Sequence, residues 1–290
     1  MFSPAIEPIG RREARGCRLC GDTVAVDPQD DAARAPTTPP RPDDAPASPY
    51  DAIADIYDPW SVSVTEDVEF YVAEAERATR DAPPGTPVVE LGIGTGRIAI
   101  PIAAHGIPVI GVDSSRGMLD VCVREAAKRH LGHLVDVRLG DLRTPPVTER
   151  TPLVTCPFRS LLHMRSDDDR LGALRAAREL LLPGGRLVFD VFAPGADDIA
   201  ETHGRWLERE PGIFERADWD ERGRTLTLSV RGAAGEATMA LSWLGSDEWA
   251  RLLDEAGFVI EACYGWFDRR PYRGGEDSVW IATRDDRPRG

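Results

Sequence analysis

Two hydrophobic rhythms run along this chain, and the point where one gives way to the other divides it. Between residues 86 and 192, short unbroken apolar runs take turns with segments whose apolar residues recur every three or four positions. Unbroken runs suit strands buried on both faces, and the longer period suits helices with one buried stripe. The pattern predicts strands at Val88–Ile93, Val109–Asp113, Val135–Leu139, Leu153–Cys156 and Arg186–Phe192. It predicts helices over Val68–Arg80, Arg97–His105, Arg116–Leu131 and Asp167–Leu182. Ser114 or Ser115 can cap the third of these, since a hydroxyl accepts from the free N–H groups of a first turn. Pro183-Gly184-Gly185 reads as the stop of the fourth. Such alternation implies a doubly wound, mostly parallel α/β sheet.

Past residue 200 the rhythm shortens to alternation. Arg205–Glu210, Ile213–Asp218, Arg224–Val230 and Ala237–Trp243 are short and separated by turns, with Asp220-Glu221-Arg222-Gly223 as a hairpin turn. This predicts a small antiparallel β insertion. A helix returns over Asp247–Ala256, with Ser246 as its cap and Gly257 as its stop. Phe258–Trp266 and Ser278–Thr283 are then joined by a loop too short for a helical crossover, so they should pair antiparallel. Five earlier strands and this pair make a seven-stranded sheet whose last strand is reversed. The expected organisation is a tail over 1–48, N-terminal lid helices over 49–85, a Rossmann-like core over 86–200, the insertion over 201–245 as an acceptor or dimer region, and a closing helix and strand pair over 246–285.

The densest chemical signal sits where the first strand ends. Glu90-Leu91-Gly92-Ile93-Gly94-Thr95-Gly96-Arg97 places glycines at alternate positions before a helix. Glycines so spaced let the backbone turn with positive φ and let a ligand touch the main chain. Dinucleotide-binding folds share the strand–loop–helix geometry, so the loop alone does not tell a dinucleotide from another ligand. Two details separate them. Arg97 stands where the dinucleotide pattern wants a third glycine. Glu90 lies at the strand end, where a carboxylate would repel a pyrophosphate but not a cationic sulfonium.

The run resembles motif I, E/D-x-G-x-G-x-G, of the class I, Rossmann-like S-adenosylmethionine (SAM) methyltransferases. A reversed last strand is also a mark of their sheet, so the resemblance spans residues 50–284. It implies the small-molecule type, similar to the sugar N-methyltransferase and glycine N-methyltransferase-like group, with SAM as cofactor and a small-molecule methyl acceptor. The motif would place Glu90, Gly92, Gly94, Gly96 and Arg97 at the cofactor. Asp113, with Ser114 after it, would accept from the ribose hydroxyls; the alternative is a charge stabilising a helix N-terminus. Gly140-Asp141-Leu142 would meet the adenine, with Met118 on the ring's other face; a loop aspartate can equally be solvated or capping.

Two further segments carry family resemblances. Cys156-Pro157-Phe158-Arg159-Ser160-Leu161-Leu162-His163-Met164 resembles the segment in which a histidine lies at the acceptor. His163 is therefore the candidate general base or acceptor-orienting group, with Cys156 and Phe158 near the cofactor. An ordinary histidine pKa suits proton transfer near neutral pH. The alternative is a histidine bracing the loop. Tyr50-Asp51-Ala52-Ile53-Ala54-Asp55-Ile56-Tyr57-Asp58 resembles the lid that closes over SAM. Tyr50 would then contact the cofactor, and Tyr57 would bring a hydroxyl and a π face to the reacting groups. An amphipathic docking helix is the other reading. Trp206, Phe214, Trp219, Trp243 and Trp266 are expected to pack the insertion, with one or two at the acceptor. Arg159, Arg269 and Arg270 are candidates for an anionic acceptor.

Composition trims the list of functions. The chain has 290 residues and a formal charge of −14. That acidity argues against a nucleic-acid partner. No apolar run approaches the ~20 residues of a membrane span, and the N-terminus does not read as a signal peptide, so a cytoplasmic protein is expected. Five scattered cysteines imply no disulfide framework. Residues 21–49 are rich in Asp, Ala, Pro and Thr and should be disordered. Cys17 and Cys20 alone cannot complete a tetrahedral zinc site, and no metal is called for elsewhere. A homodimer is left open. The competing functions are an NAD-linked oxidoreductase of related fold and a non-catalytic SAM-binding protein.

Overall fold

A computed structural model describes residues 48–61 and 65–286. The predicted tail, with Cys17 and Cys20, lies outside the described residues. The described chain opens with a short 3-10 helix, Pro49–Ile53, and runs through α1 (Ala54–Ser61), α2 (Glu66–Thr79), β1 (Val88–Leu91), α3 (Ala99–Ala104), β2 (Val109–Asp113), α4 (Arg116–Lys128), β3 (Val135–Leu139) and β4 (Thr151–Cys156). A second 3-10 turn, Ser160–His163, precedes α5 (Asp167–Leu180), β5 (Leu181–Phe192) and α6 (Ala196–Thr202). Next come β6 (Trp206–Glu210), β7 (Ile213–Asp220), β8 (Thr225–Gly232), β9 (Gly235–Ser242), α7 (Ser246–Ala256), β10 (Phe258–Tyr264) and β11 (Asp277–Arg284).

Seven strands form one sheet in the order β10-β11-β5-β4-β1-β2-β3, and β11 alone runs against the rest. The unbroken apolar runs are buried on both faces, as in β1, where all four residues are inside. One face is covered by α5 and α7, whose Trp249 packs 5.5 Å from Phe189 of β5; Phe189 also stacks on Trp280 of β11 at 6.2 Å. Truncating an aromatic so enclosed costs roughly 3–5 kcal/mol. The other face carries Phe70 and Tyr71 of α2, Ile102 of α3 and Leu119 of α4. At the edge, β3 leaves Leu139 45% exposed.

The insertion is a separate antiparallel sheet, β6-β7-β8-β9. Trp219 and Trp243 meet edge-on at 5.6 Å where it joins the main core. Trp206 and Phe214 instead flank Arg231. Trp266 departs from the expected cluster and packs with Phe70, Tyr71 and Phe267 against the main sheet. Some boundaries also differ from expectation. The fourth predicted helix ends at Leu180 because Leu181 already pairs with Thr151. Pro183–Gly185 then bulges out of β5 before Arg186 rejoins opposite Leu153. Gly245, not Ser246, caps α7, and its N–H donates to Glu248 Oε2 at 2.9 Å. Ser115 caps α4, accepting from the Met118 N–H at 3.2 Å. Among the described residues, no helix is long and apolar enough to cross a membrane.

Candidate functional site

The order of the sheet dictates where a ligand can sit. Strands β1, β2 and β3 proceed to one side and β4 starts the other, so the crossovers part between β1 and β4. Crevices at such a switch point, beyond the strand C-termini, bind ligands in open α/β sheets. Gly92 and Gly94 lie there with φ of +82° and +55°. A Cβ on Gly92 would stand 2.5 Å from Ser160 Oγ, so only glycine lets the loop and the β4 segment touch. Asp113 ends β2 beside them. The Gly94 N–H donates to its Oδ2 and the Ser115 N–H to its Oδ1, both at 2.9 Å. Burial raises the pKa of this carboxyl while those backbone donors oppose the rise.

The segment 50–58 is fastened over this loop by two aspartates seven residues apart. Asp51 Oδ1 accepts the Ser115 hydroxyl at 2.6 Å and the Gly117 N–H at 2.8 Å, at the start of α4. Asp58 Oδ1 accepts the Thr95 hydroxyl at 2.5 Å. Two helical turns separate them, so they share a face. Tyr50 and Tyr57 beside them point into the cavity. On the outside, Ile53 packs on Val230 and Met239 of the insertion, and the Trp60 indole donates to Glu215 at 2.8 Å. The segment thus docks on the insertion with one side and lines the cavity with the other.

Across the cavity, Tyr50 Oη and His163 Nε2 share a hydrogen bond of 3.0 Å. Tyr57 lies edge-on to Tyr50 at 5.9 Å and to Phe158 at 6.4 Å. Burial pushes His163 down to about 4 and raises both tyrosines. At neutral pH the imidazole is therefore uncharged and the hydroxyls are protonated. This departs from the expectation of a histidine titrating near neutrality, because desolvation disfavours its cation. The walls enclose an open-mouthed cavity of about 210 Å³.

A methyltransferase-domain family model matches residues 88–185. A demethylmenaquinone methyltransferase of Corynebacterium kroppenstedtii is 30% identical over 239 residues, which is 81% of this chain and 92% of that one. The chain belongs to the class I SAM-dependent methyltransferases. A cypemycin N-terminal methyltransferase of a Streptomyces species is 25% identical over 199 residues, 65% of this chain and 78% of that one. Among solved structures, the CcbJ methyltransferase of Streptomyces caelestis superimposes with a TM-score of 0.69 at 28% identity, covering 82% of this chain and 98% of its own. The NAD-linked and non-catalytic alternatives fall with this membership. The enzyme transfers a methyl group from SAM to a small molecule.

In this methyltransferase the cavity gathers most of the sequence-predicted residues. Tyr50, Tyr57, Gly92, Gly94, Asp113, Ser114, Met118, Asp141, Leu142, Phe158 and His163 line it. Glu90, Gly96, Arg97, Gly140 and Cys156 do not. Glu90 is 1% exposed beneath the loop, and burial holds its carboxyl well above the usual range. Gly96 packs on Cys122 and Gly140 on Pro146. Arg97 turns away to grip both oxygens of Asp67, at 2.8 and 2.5 Å, with its guanidinium 4.6 Å from the Phe158 ring centre. Cys156 is core, and burial pushes its thiol up. Asp141 is held by Arg143 at 2.6 Å, which lowers its pKa.

Neither the aromatic set of the insertion nor the three candidate arginines lines this cavity. Arg159 pairs with Asp277 at 3.0 Å, Arg269 with Glu74 at 2.6 Å and Arg270 with Asp268 at 3.7 Å. Ser48, Pro49, Ser160 and Met164 complete the wall and were missed. Ser160 and Met164 sit inside the very segment that pointed to His163, so their exposure to the cavity was within reach of the sequence.

Proposed function

We propose that this methyltransferase holds SAM between the glycine loop and the ends of β2 and β3, and methylates an uncharged small-molecule nucleophile, an amine in its free-base form. The cavity lies beyond the strand C-termini, where open α/β sheets bind their ligands. Its residues suit the cofactor. Asp113 has lone pairs left for ribose hydroxyls after two backbone bonds. Met118 and Leu142 offer apolar surface to a purine, and Asp141 an acceptor. Glu90 Oε2 is buried without a hydrogen-bond partner among the described residues, a polar atom that a nearby donor would satisfy. Among the described lining residues there is no lysine or arginine, so a cationic sulfur meets no like charge. SAM, when bound, supplies an electrophilic methyl group on that sulfur.

The single observation that carries the acceptor class is the neutral Tyr50–His163 pair on a wall with no lysine or arginine among its described residues. A histidine held at about 4 and bonded to Tyr50 is a weak base. The acceptor must therefore arrive with its lone pair free, which an amine does at mildly alkaline pH and a phenol does not. A carboxylate would find no counter-charge. Tyr50, Tyr57 and Phe158 exclude water and orient the nucleophile, and orientation of reactants can supply up to ~7–11 kcal/mol. The N-terminal methyltransferase among the relatives supports an amine; the demethylmenaquinone relative makes that quinone the rival acceptor. The net charge of −14 supports a small acceptor over a nucleic acid.

A panel of amino sugars, peptide α-amines, phenols, carboxylates and demethylmenaquinone, read as S-adenosylhomocysteine release, tests this. Amines should turn over, with rates rising through each amine's own pKa. Preferred turnover of a phenol, a carboxylate or the quinone would overturn the acceptor class and leave the cofactor site standing.

A further inference from the structure

Two consecutive residues after β4, Phe158 and Arg159, have φ of +52° and +65°. Side chains rarely adopt this left-handed region, and two in succession persist only where the surroundings hold them. What holds them is Asp190, near the end of β5 and 7% exposed. The Phe158 N–H donates to its Oδ1 at 2.8 Å and the Arg159 N–H to its Oδ2 at 3.2 Å. The Tyr71 hydroxyl of α2 donates to Oδ1 at 2.6 Å. All three neighbours are donors, so the site is built for an ionised carboxylate, the mirror of an anion-binding backbone concavity.

The bend decides where one wall of the cavity stands. It puts the Phe158 ring on the cavity, brings Ser160 against the bare Gly92 backbone and leads into the turn that carries His163 to Tyr50. Asp190 does not line that cavity. We propose that Asp190 is a positioning residue for methyl transfer: its carboxylate is the template that holds the Phe158–Arg159 bend and so places Phe158 and His163. This rests on the assignment of the cavity as the reaction site. The opposite wall, Gly94 and Asp113, is tied by its own bonds and stays where it is.

Burial pushes the Asp190 carboxyl up to about 6. The groups facing it are Tyr71 and Asp67 from α2, Arg159 from the bend, Arg97 from the glycine loop and Cys156 from β4, while Asp277 of β11 engages Arg159. Asp67 raises it and Arg159 lowers it. As pH falls through about 6, the protonated acid loses an acceptor and presents an O–H to donors, so the bend loosens.

The test is Asp190→Asn in the full chain, followed by amide hydrogen exchange over residues 157–160 and by S-adenosylhomocysteine titration. Exchange at 158 and 159 should rise at least tenfold, with S-adenosylhomocysteine affinity within threefold of wild type. In the wild type, exchange corrected for its intrinsic pH dependence should rise as pH drops through 6, and the variant should lack that step. Glycine takes a φ of +65° without strain, so in an Arg159→Gly background the same Asp190→Asn change should raise exchange less than threefold. Turnover of the panel's best acceptor should fall at least tenfold in Asp190→Asn and recover in the double variant. Unchanged exchange, an unchanged pH step, or an equal effect in both backgrounds would overturn the role of Asp190. Failure of the wild type to bind S-adenosylhomocysteine would instead sink the site assignment itself.

Discussion

The charge state of His163 can be read from a stability measurement without knowing the acceptor. Its pKa moves from 6.5 to about 4 because folding takes the ring out of water. The folded state therefore disfavours the protonated ring. The stability this neutral ring contributes is complete above pH 6.5 and is lost as pH falls through 4. At 1.36 kcal/mol per pKa unit, the whole effect is about 3 kcal/mol, and most of it has gone by pH 4.5. His163→Gln removes the titration and keeps an amide able to bond Tyr50. Urea unfolding of both chains at pH 7.5 and 4.5 gives four free energies. The variant should be the less stable at pH 7.5, by up to ~1–3 kcal/mol for an imperfect buried hydrogen bond. Between the two pH values the difference should swing toward the variant by roughly 2–3 kcal/mol. Asp190 and Asp113, whose pKa values burial raises, titrate in both chains and cancel in the difference. A gap that stays constant would show that His163 is protonated in the fold as readily as out of it, and the weak-base argument for an amine acceptor would go with it.

Asp113→Ala should weaken S-adenosylhomocysteine binding by about 1.5–3 kcal/mol, the range for hydrogen bonds to a charged group, read by calorimetric titration; unchanged affinity would remove Asp113 from the cofactor site. Gly94→Val puts a branched side chain at φ +55° on the cavity wall, beside Met118 Cε, which a Cβ would approach to 3.3 Å. The melting-temperature rise given by S-adenosylhomocysteine should vanish, and a full rise would refute the loop's role. Asp51→Ala strips the acceptor from Ser115 and Gly117, so affinity should fall by about 0.5–2 kcal/mol, as for a lost helix cap. An unaltered dissociation constant would mean that segment 50–58 does not cover the cofactor.

The fold was legible where burial imposes a period. β2 matches its expected bounds as a buried run ending at Asp113, and β3 matches its own as an alternation at the sheet edge. Legibility fell where the chain turns. The first core helix was expected from Arg97 but begins at Ala99, since the glycine loop is still closing its turns at Arg97. Adjacency in a loop also does not tell which way a side chain leaves it. The motif would place Arg97 at the cofactor, yet its side chain turns to Asp67 on α2, thirty residues earlier. His163 lines the cavity, but burial sets its pKa and its hydrogen-bond partner Tyr50 stands 113 residues away, so neither shows in the local sequence.

The acidic composition hid the most. A charge of −14 reads as a solvated surface, yet five of the aspartates around the cavity are struts. Asp51 and Asp58 tie the cover, Asp67 takes Arg97, Asp113 ties the glycine loop and Asp190 holds the bend after β4. Asp67 is fully buried and Asp190 nearly so. A carboxylate with matched donors can stay charged inside a protein, because each bond to it is a charge-assisted one. Loops cannot supply their own ladder of hydrogen bonds, so an acceptor brought from another element is the cheapest way to fix one. The pairs span 19 to 66 residues of sequence. Their separations follow no period, which is why the strands announced themselves and the struts did not.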